Sequence, residues 1–349
     1  MSNASPIHWS DPAREQAFTH WLDRLPPGLG LDRTSVQSAS ADASFRRYLR
    51  IDSVRGPRIV MDAPPAHEDC RPFVRVAQLL REGGLEAPEV LAFDEAHGFM
   101  LLQDLGATTY LDALAGRDAA QAAPLYLGAI DALVRLQRIE LPAQFPPYDR
   151  ALMQRELELF SDWYVARHCG HVLGAADRAR LDQAFTLILD ACVDQPGVLV
   201  HRDYHSRNLM VASGTAGCGI LDFQDAVRGP ITYDLVSLLR DAYIEWDEAT
   251  QLDWAVRYWE RARAAGLPVH ADFGAYWRDF EWMGLQRHLK VLGIFARLYH
   301  RDGKDGYLRD LPLVWRYAHR VAARYRALAP LALLLERLAG TERTAGYTF

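Results

Sequence analysis

The chain has 349 residues, half of them hydrophobic and 24% charged, which is enough for two units with sizeable cores in an ordinary globular protein. Its formal net charge of −6 argues against non-specific nucleic-acid binding. No segment approaches the roughly 20 apolar residues of a membrane span. The four cysteines (Cys70, Cys169, Cys192, Cys218) lack C-x-x-C spacing, so neither a disulfide framework nor a zinc site is expected. The first sixteen residues are polar and carry no signal-peptide core, so a cytoplasmic protein is expected. In chain order, Ser10-Asp11-Pro12 reads as a helix start, and Pro26-Pro27-Gly28 as the stop of a helix ending near Leu25. Ser38 to Ser44 reads as a small-residue loop. Phe45 to Asp52 and Arg58 to Asp62 read as a hairpin, and Pro72 to Glu82 as a helix. Pro88–Phe93 and Phe99–Leu102 read as two further strands. Beyond Gly106 the spacing predicts helices over 109–115, 119–138, 150–168 and 175–194, then over 233–243, 248–265, 273–300 and 311–338. The predicted organisation is α+β, with a small β-rich N-lobe over 1–105 and a larger helical C-lobe over 106–349.

The second half of this pattern is interrupted by VLVHRDYHSRNLMVASGTAGCGILDFQ, Val198 to Gln224. Short apolar runs end in polar groups, and H-x-D-x-x-x-x-N is followed nineteen residues after Asp203 by Asp222-Phe223-Gln224. Such strand-flanked spacing points to metal-assisted phosphoryl transfer. One carboxylate, Asp203, orients the attacking hydroxyl and takes its proton late. An amide, Asn208, and a second carboxylate, Asp222, are hard oxygen ligands suited to Mg²⁺. His201 is expected to pack and orient the loop. His205, two residues past Asp203, could touch the hydroxyls of an acceptor.

These residues resemble the aminoglycoside phosphotransferase-like kinases, which share the bilobal protein-kinase fold. HRDYHSRN is similar to their catalytic loop, and DFQ stands where protein kinases have DFG. RGPITYDLVSLL, with Asp234, is similar to the helix start that braces that loop. The resemblance implies ATP and Mg²⁺ as cofactors. It also implies a hinge at LLQDLG, where backbone groups of Gln103, Asp104 and Leu105 would hydrogen-bond adenine. SADASFRRYLRI resembles the nucleotide-covering loop and second strand. One departure stands out, because Met61 falls where the third strand should carry a phosphate-binding lysine. The only lysines are Lys290 and Lys304. Arg46 or Arg47 on the neighbouring strand is therefore the expected phosphate contact, since a guanidinium fork suits phosphate.

FRRYLRI, MDAPP, LLQDLG, HRDYHSRNLM and MGLQRHLKVLGIFARL together resemble one branch, the anomeric N-acetylmuramate/N-acetylglucosamine kinases of bacterial cell-wall recycling. That resemblance implies phosphorylation of the C1 hydroxyl to an α-1-phosphate sugar. A monomer that binds neither nucleic acid nor membrane is expected. Arg287, Lys290 and Arg301 recur near helical spacing and would share a face. Arg287 and Lys290 are then candidate substrate contacts, favouring an anionic or neutral acceptor over a polycation. Two alternatives stay open at this point. One is another small-molecule kinase of the same fold, acting on an aminoglycoside, choline or homoserine. The other is a nucleotide-binding pseudokinase with a regulatory role.

Overall fold

A computed structural model describes Ile7, Trp9 and residues 11–41, 46–212 and 217–340. The chain forms two compact units: residues 1–108 with 210–225, and residues 109–209 with 226–349. In the first unit, Asp11 accepts the Ala13 N–H and starts helix α1 (Pro12–Arg24). The following strands β1 (Leu31–Ala41), β2 (Arg47–Ser53), β3 (Arg58–Asp62), β4 (Val90–Asp94) and β5 (Phe99–Gln103) form one antiparallel sheet, in the order β1-β2-β3-β5-β4. Phe18, Trp21 and Leu22 of α1 pack with Leu49, Ile51, Val60, Phe99 and Leu101 of the sheet. Burial of those rings and branched chains is what fixes α1 to the sheet. Helix α2 (Arg71–Glu82) buries Phe73, Val76, Ala77 and Leu80, the 3.6-period stripe of its sequence.

Most expectations for this unit hold within one or two residues. The hairpin is β2–β3, and its turn is closed by Gly56 donating to the Ser53 carbonyl. The small-residue loop is a correction. Strand β1 runs to Ala41, because pairing with β2 outweighs the weak strand preference of Ser and Ala. The rest of that segment, 42–45, lies outside the described residues, as does Phe45 of the expected strand.

In the second unit the helices are α3 (Tyr110–Leu114), α4 (Ala119–Gln137), α5 (Arg150–Leu159) and α6 (Ala175–Val193). They continue as α7 (Tyr233–Leu239), α8 (Glu248–Ala264), α9 (Phe273–Asp302), α10 (Leu311–Arg324) and α11 (Ala329–Leu338). In chain order between α6 and α7 come β6 (Gly197–Val200), β7 (Leu209–Val211), β8 (Cys218–Ile220) and β9 (Val227–Pro230), with β6 paired to β9 and β7 to β8; β8 and all of β7 but Leu209 belong to the first unit. The 30-residue α9 is the axis of this unit and is buried almost without break from Phe280 to Ala296.

Three helix expectations are corrected. The helix read over 150–168 changes to wide π turns over Phe160–His168. There α9 comes so close that a Cβ on Gly293 would meet the Leu159 carbonyl carbon at 2.3 Å. The helix read over 311–338 breaks at Tyr325, whose backbone is extended, and restarts just before Pro330. The helix read over 233–243 stops at Leu239. Strand β9 was not anticipated; its Gly229-Pro230 end does not suggest a strand, but the edge pairing to β6 accepts it. Among the described residues no helix is long and apolar enough to cross a membrane.

Candidate active site

Within the second unit the loop 201–208 leaves β6 and returns into β7. Arg202 takes a left-handed backbone, φ +78°, which an arginine adopts only when its surroundings enforce it. The enforcement is visible. Asp234, fully buried at the start of α7, accepts the His201 N–H at 2.7 Å and the Arg202 N–H at 3.0 Å. Asp241, seven residues further on, accepts the Ser206 N–H at 3.0 Å. The His201 ring accepts the Asp203 N–H at 3.2 Å, and Asn208 Nδ2 donates to the Asp203 carbonyl at 3.0 Å. Sequence reading anticipates the Asp234 brace and the orienting His201. It misses Asp241, which lies just past the end of α7.

Asp203 and Asn208 are thus brought together by one loop. The Asp203 carboxylate is close to half exposed and ringed by cations. Arg287 Nη2 stands 3.9 Å from Oδ1 and His205 Nε2 stands 4.0 Å from it. Loss of water pushes the Asp203 pKa up, but Lys290, His205 and Arg287 pull it down further, to about 2. Burial lowers the His205 pKa, against the raising effect of Asp241 and Asp203. Burial raises Asp234 to about 7, against the lowering effect of the two N–H groups it accepts.

Arg287 and Lys290 do lie on one helix, α9, but not on a solvated face. Both side chains are buried, whereas Arg301 is exposed and paired with Asp302, so the expected shared face ends before Arg301. Arg287 Nε donates to Ser237 Oγ at 2.6 Å. The Lys290 ammonium lies 2.9 Å from Glu156 Oε1 and 3.1 Å from the Tyr233 hydroxyl. Glu156 also receives Arg202 Nη2 at 2.6 Å, Gln286 Nε2 at 3.3 Å and the Tyr148 hydroxyl. It is the buried hub that ties α5, α9 and the loop together. One of two glutamates in an amphipathic helix gives no hint of that in sequence. The lowered Asp203 pKa shows a net positive field at that carboxylate, to which Lys290 and Arg287 contribute.

The remaining candidates lie in the first unit. Asp222 also has a left-handed backbone, φ +61°, and its Oδ1 accepts from Gln224 Nε2 at 2.8 Å. Phe223 packs on Phe73 of α2, with centroids 4.8 Å apart. At the predicted hinge, β5 ends on Gln103, whose N–H is taken by the Glu89 carbonyl. Asp104 binds Arg50 Nε at 2.7 Å and the Gly106 N–H at 2.9 Å through its side chain. Met61 is buried in the sheet. Arg46 sends Nε and Nη2 to Glu68 Oε2, at 3.1 and 2.8 Å. Arg47 instead joins Arg14 on the fully buried Asp62 and lies over the Trp9 ring. Asp62, missed in sequence, is therefore the buried keystone of a part-exposed Arg–Asp–Arg group.

Residues 35–273 match the family described as the phosphotransferase enzyme family. The chain is 46% identical over 332 residues to an N-acetylmuramate/N-acetylglucosamine kinase of Pseudomonas putida, covering 93% of this chain and 96% of that one. It is 47% identical over 341 residues to a protein of the same name from Neisseria meningitidis serogroup B, covering 96% and 99%. Among solved structures it is similar to a Plasmodium vivax ethanolamine kinase (TM-score 0.61, 10% identity, 90% and 95% covered). It is likewise similar to a spectinomycin phosphotransferase in complex with ADP and spectinomycin (TM-score 0.60, 12% identity, 95% and 100% covered). At these identities the two structures establish the shared kinase-like fold.

Proposed function

The chain belongs to the phosphotransferase enzyme family, and on that premise we propose that it is an ATP- and Mg²⁺-dependent kinase of N-acetylmuramate and N-acetylglucosamine, acting at the anomeric C1 hydroxyl. The observation that carries this reading is the near full-length identity to kinases of that name, combined with an HRDYHSRN loop held rigid by Asp234 and Asp241. The positive surroundings of Asp203 support a neutral or anionic acceptor and disfavour a polycationic antibiotic.

In this reading Asp203 accepts the hydrogen bond of the acceptor hydroxyl and aligns its oxygen for attack. A carboxylate whose pKa is about 2 is a weak base, so it takes the proton only once bond formation is far advanced, as a loose transition state allows. Arg287 and His205 stand beside Asp203, where they would meet the acceptor, and Lys290, paired with Glu156, adds to the positive field on Asp203. Asn208 and Asp222 offer an amide and a carboxylate oxygen, a donor set that fits a hard divalent cation. When bound, Mg²⁺ supplies charge neutralisation on the nucleotide phosphates. Backbone groups over Gln103 to Leu105 would hold adenine. With Gln103 N–H already engaged, that task falls to Asp104 and Leu105. Both arginines assigned to phosphate are engaged, Arg46 with Glu68 and Arg47 with Asp62; Arg46 is favoured because Glu68 keeps some contact with water when released, whereas Asp62 is fully buried.

A substrate panel with ATP consumption as readout tests the reading. Turnover of both amino sugars, without turnover of kanamycin, choline or homoserine, is expected. Turnover of one of the latter three but of neither amino sugar would overturn it.

A further inference from the structure

Arg207 sits inside the loop, between Asp203 and Asn208, and the roles assigned above leave it unused. Its guanidinium carbon lies 3.7 Å above the Tyr243 ring centroid and 5.8 Å from that of Tyr307. Its Nε is buried without a hydrogen-bond partner, and among the described residues its guanidinium makes no ion pair. The neighbouring Arg202 and Arg287, by contrast, are both tied to carboxylates or hydroxyls. Asp310 is the nearby carboxylate. It sits beyond ion-pairing reach of Arg207, and its own Oδ2 is buried without a partner. The Tyr243 shelf connects directly to the reacting end of the loop. Tyr243 is edge-on to His205 at 5.5 Å, and His205 Nε2 is 4.0 Å from Asp203 Oδ1.

A guanidinium held flat on an aromatic ring keeps its hydrogen-bonding edge available, and that edge matches a planar carboxylate in two-point geometry. Holding it this way also removes much of the ordering cost of binding. We propose that Arg207 is a specificity-determining residue of the acceptor subsite: its guanidinium takes the lactyl carboxylate that distinguishes N-acetylmuramate from N-acetylglucosamine, while the hydroxyl to be phosphorylated lies against Asp203. This inference rests on the amino-sugar kinase reading. Arg287 does not serve instead, because it is committed to Ser237 and to the field around Asp203.

The test compares kcat/KM for N-acetylmuramate, its methylamide and N-acetylglucosamine in the wild-type protein, Arg207→Met and Arg207→Lys, with melting temperatures recorded for each. Loss of one charge-assisted two-point contact should lower the N-acetylmuramate-to-N-acetylglucosamine selectivity of Arg207→Met by about 10- to 100-fold. Arg207→Lys should fall between, because it keeps the charge but not the fork. The wild-type protein should separate the acid from its methylamide, and Arg207→Met should not. If Arg207→Met lowers turnover of both sugars by the same factor, Arg207 only braces Tyr243 and Tyr307, and the inference fails while the kinase reading stands. If the wild-type protein phosphorylates neither sugar, the kinase reading fails and this inference goes with it.

Discussion

Glu156→Gln is the sharpest probe of the second unit. The substitution keeps the shape and one acceptor oxygen but removes the negative charge that holds Lys290 at 2.9 Å and Arg202 at 2.6 Å. All three groups are largely removed from water, and breaking a buried pair from one side leaves an uncompensated charge. That costs about 3 kcal/mol, the lower end of the usual range because the amide still accepts a hydrogen bond. For a unit of this size the loss corresponds to about 6–12 °C in melting temperature. Removing the stranded charge as well should reverse part of the damage, so Glu156→Gln/Lys290→Met should melt above Glu156→Gln alone. The pH dependence has a definite sign. Burial raises the Glu156 pKa, but Lys290 and Arg202 lower it further, so its contribution is present above the ordinary carboxylate value and is lost as pH falls through the depressed one. Thermal melts followed by circular dichroism at neutral and acid pH measure both effects. A Glu156→Gln melt within 2 °C of wild type, taking about 1 kcal/mol as the corresponding limit, would refute the hub argument. So would a double variant whose losses simply add.

Asp203→Asn should lower kcat by about 10² to 10⁴ while leaving nucleotide affinity intact, read by turnover and by calorimetry with ATP; undiminished turnover would mean the base is misassigned. Because Asp203 titrates at about 2, it stays ionised over the working range, and the acid limb of the rate profile should not move with it. Arg46→Ala should raise the KM for ATP by about tenfold, the loss of one charged hydrogen bond, whereas Arg47→Ala should act mainly on melting temperature through Asp62; equal KM values in both variants would remove the nucleotide role. Burial holds Asp234 at about 7, so the folded state keeps a proton that the unfolded chain releases near pH 4. The resulting stabilisation is complete below that value and is lost as pH rises through 7. Asp234→Asn should therefore flatten the urea midpoint between those limits, and an unchanged slope would contradict the raised pKa.

What could be read from sequence follows the range of the interactions involved. The Asp11 cap, the β2–β3 hairpin, the stripe of α2 and the H-x-D-x-x-x-x-N loop are set by neighbours in the chain, and they were legible. The brace from Asp234 was legible because family resemblance supplied its partner. Glu156 and Asp62 were not, since their importance comes from cations brought in by distant segments: Lys290 and Arg202 for one, Arg14 and Arg47 for the other. The same reason explains the basic residues of α9. Periodicity placed Arg287 and Lys290 on one helix face, but only tertiary packing decides that this face is buried and that Arg301 leaves it. Strand β1 and the break before α11 failed for a related reason, since pairing and packing outweighed local preference.

The proposal as a whole turns on which oxygen receives the phosphoryl group. Proton and phosphorus NMR of the product made from N-acetylmuramate and ATP reads that position directly. Phosphorus coupling to the anomeric proton, with the small proton–proton splitting of an α-linked sugar, is the predicted result. Coupling to the protons at C4 or C6, or no phosphorylated sugar at all, would contradict it.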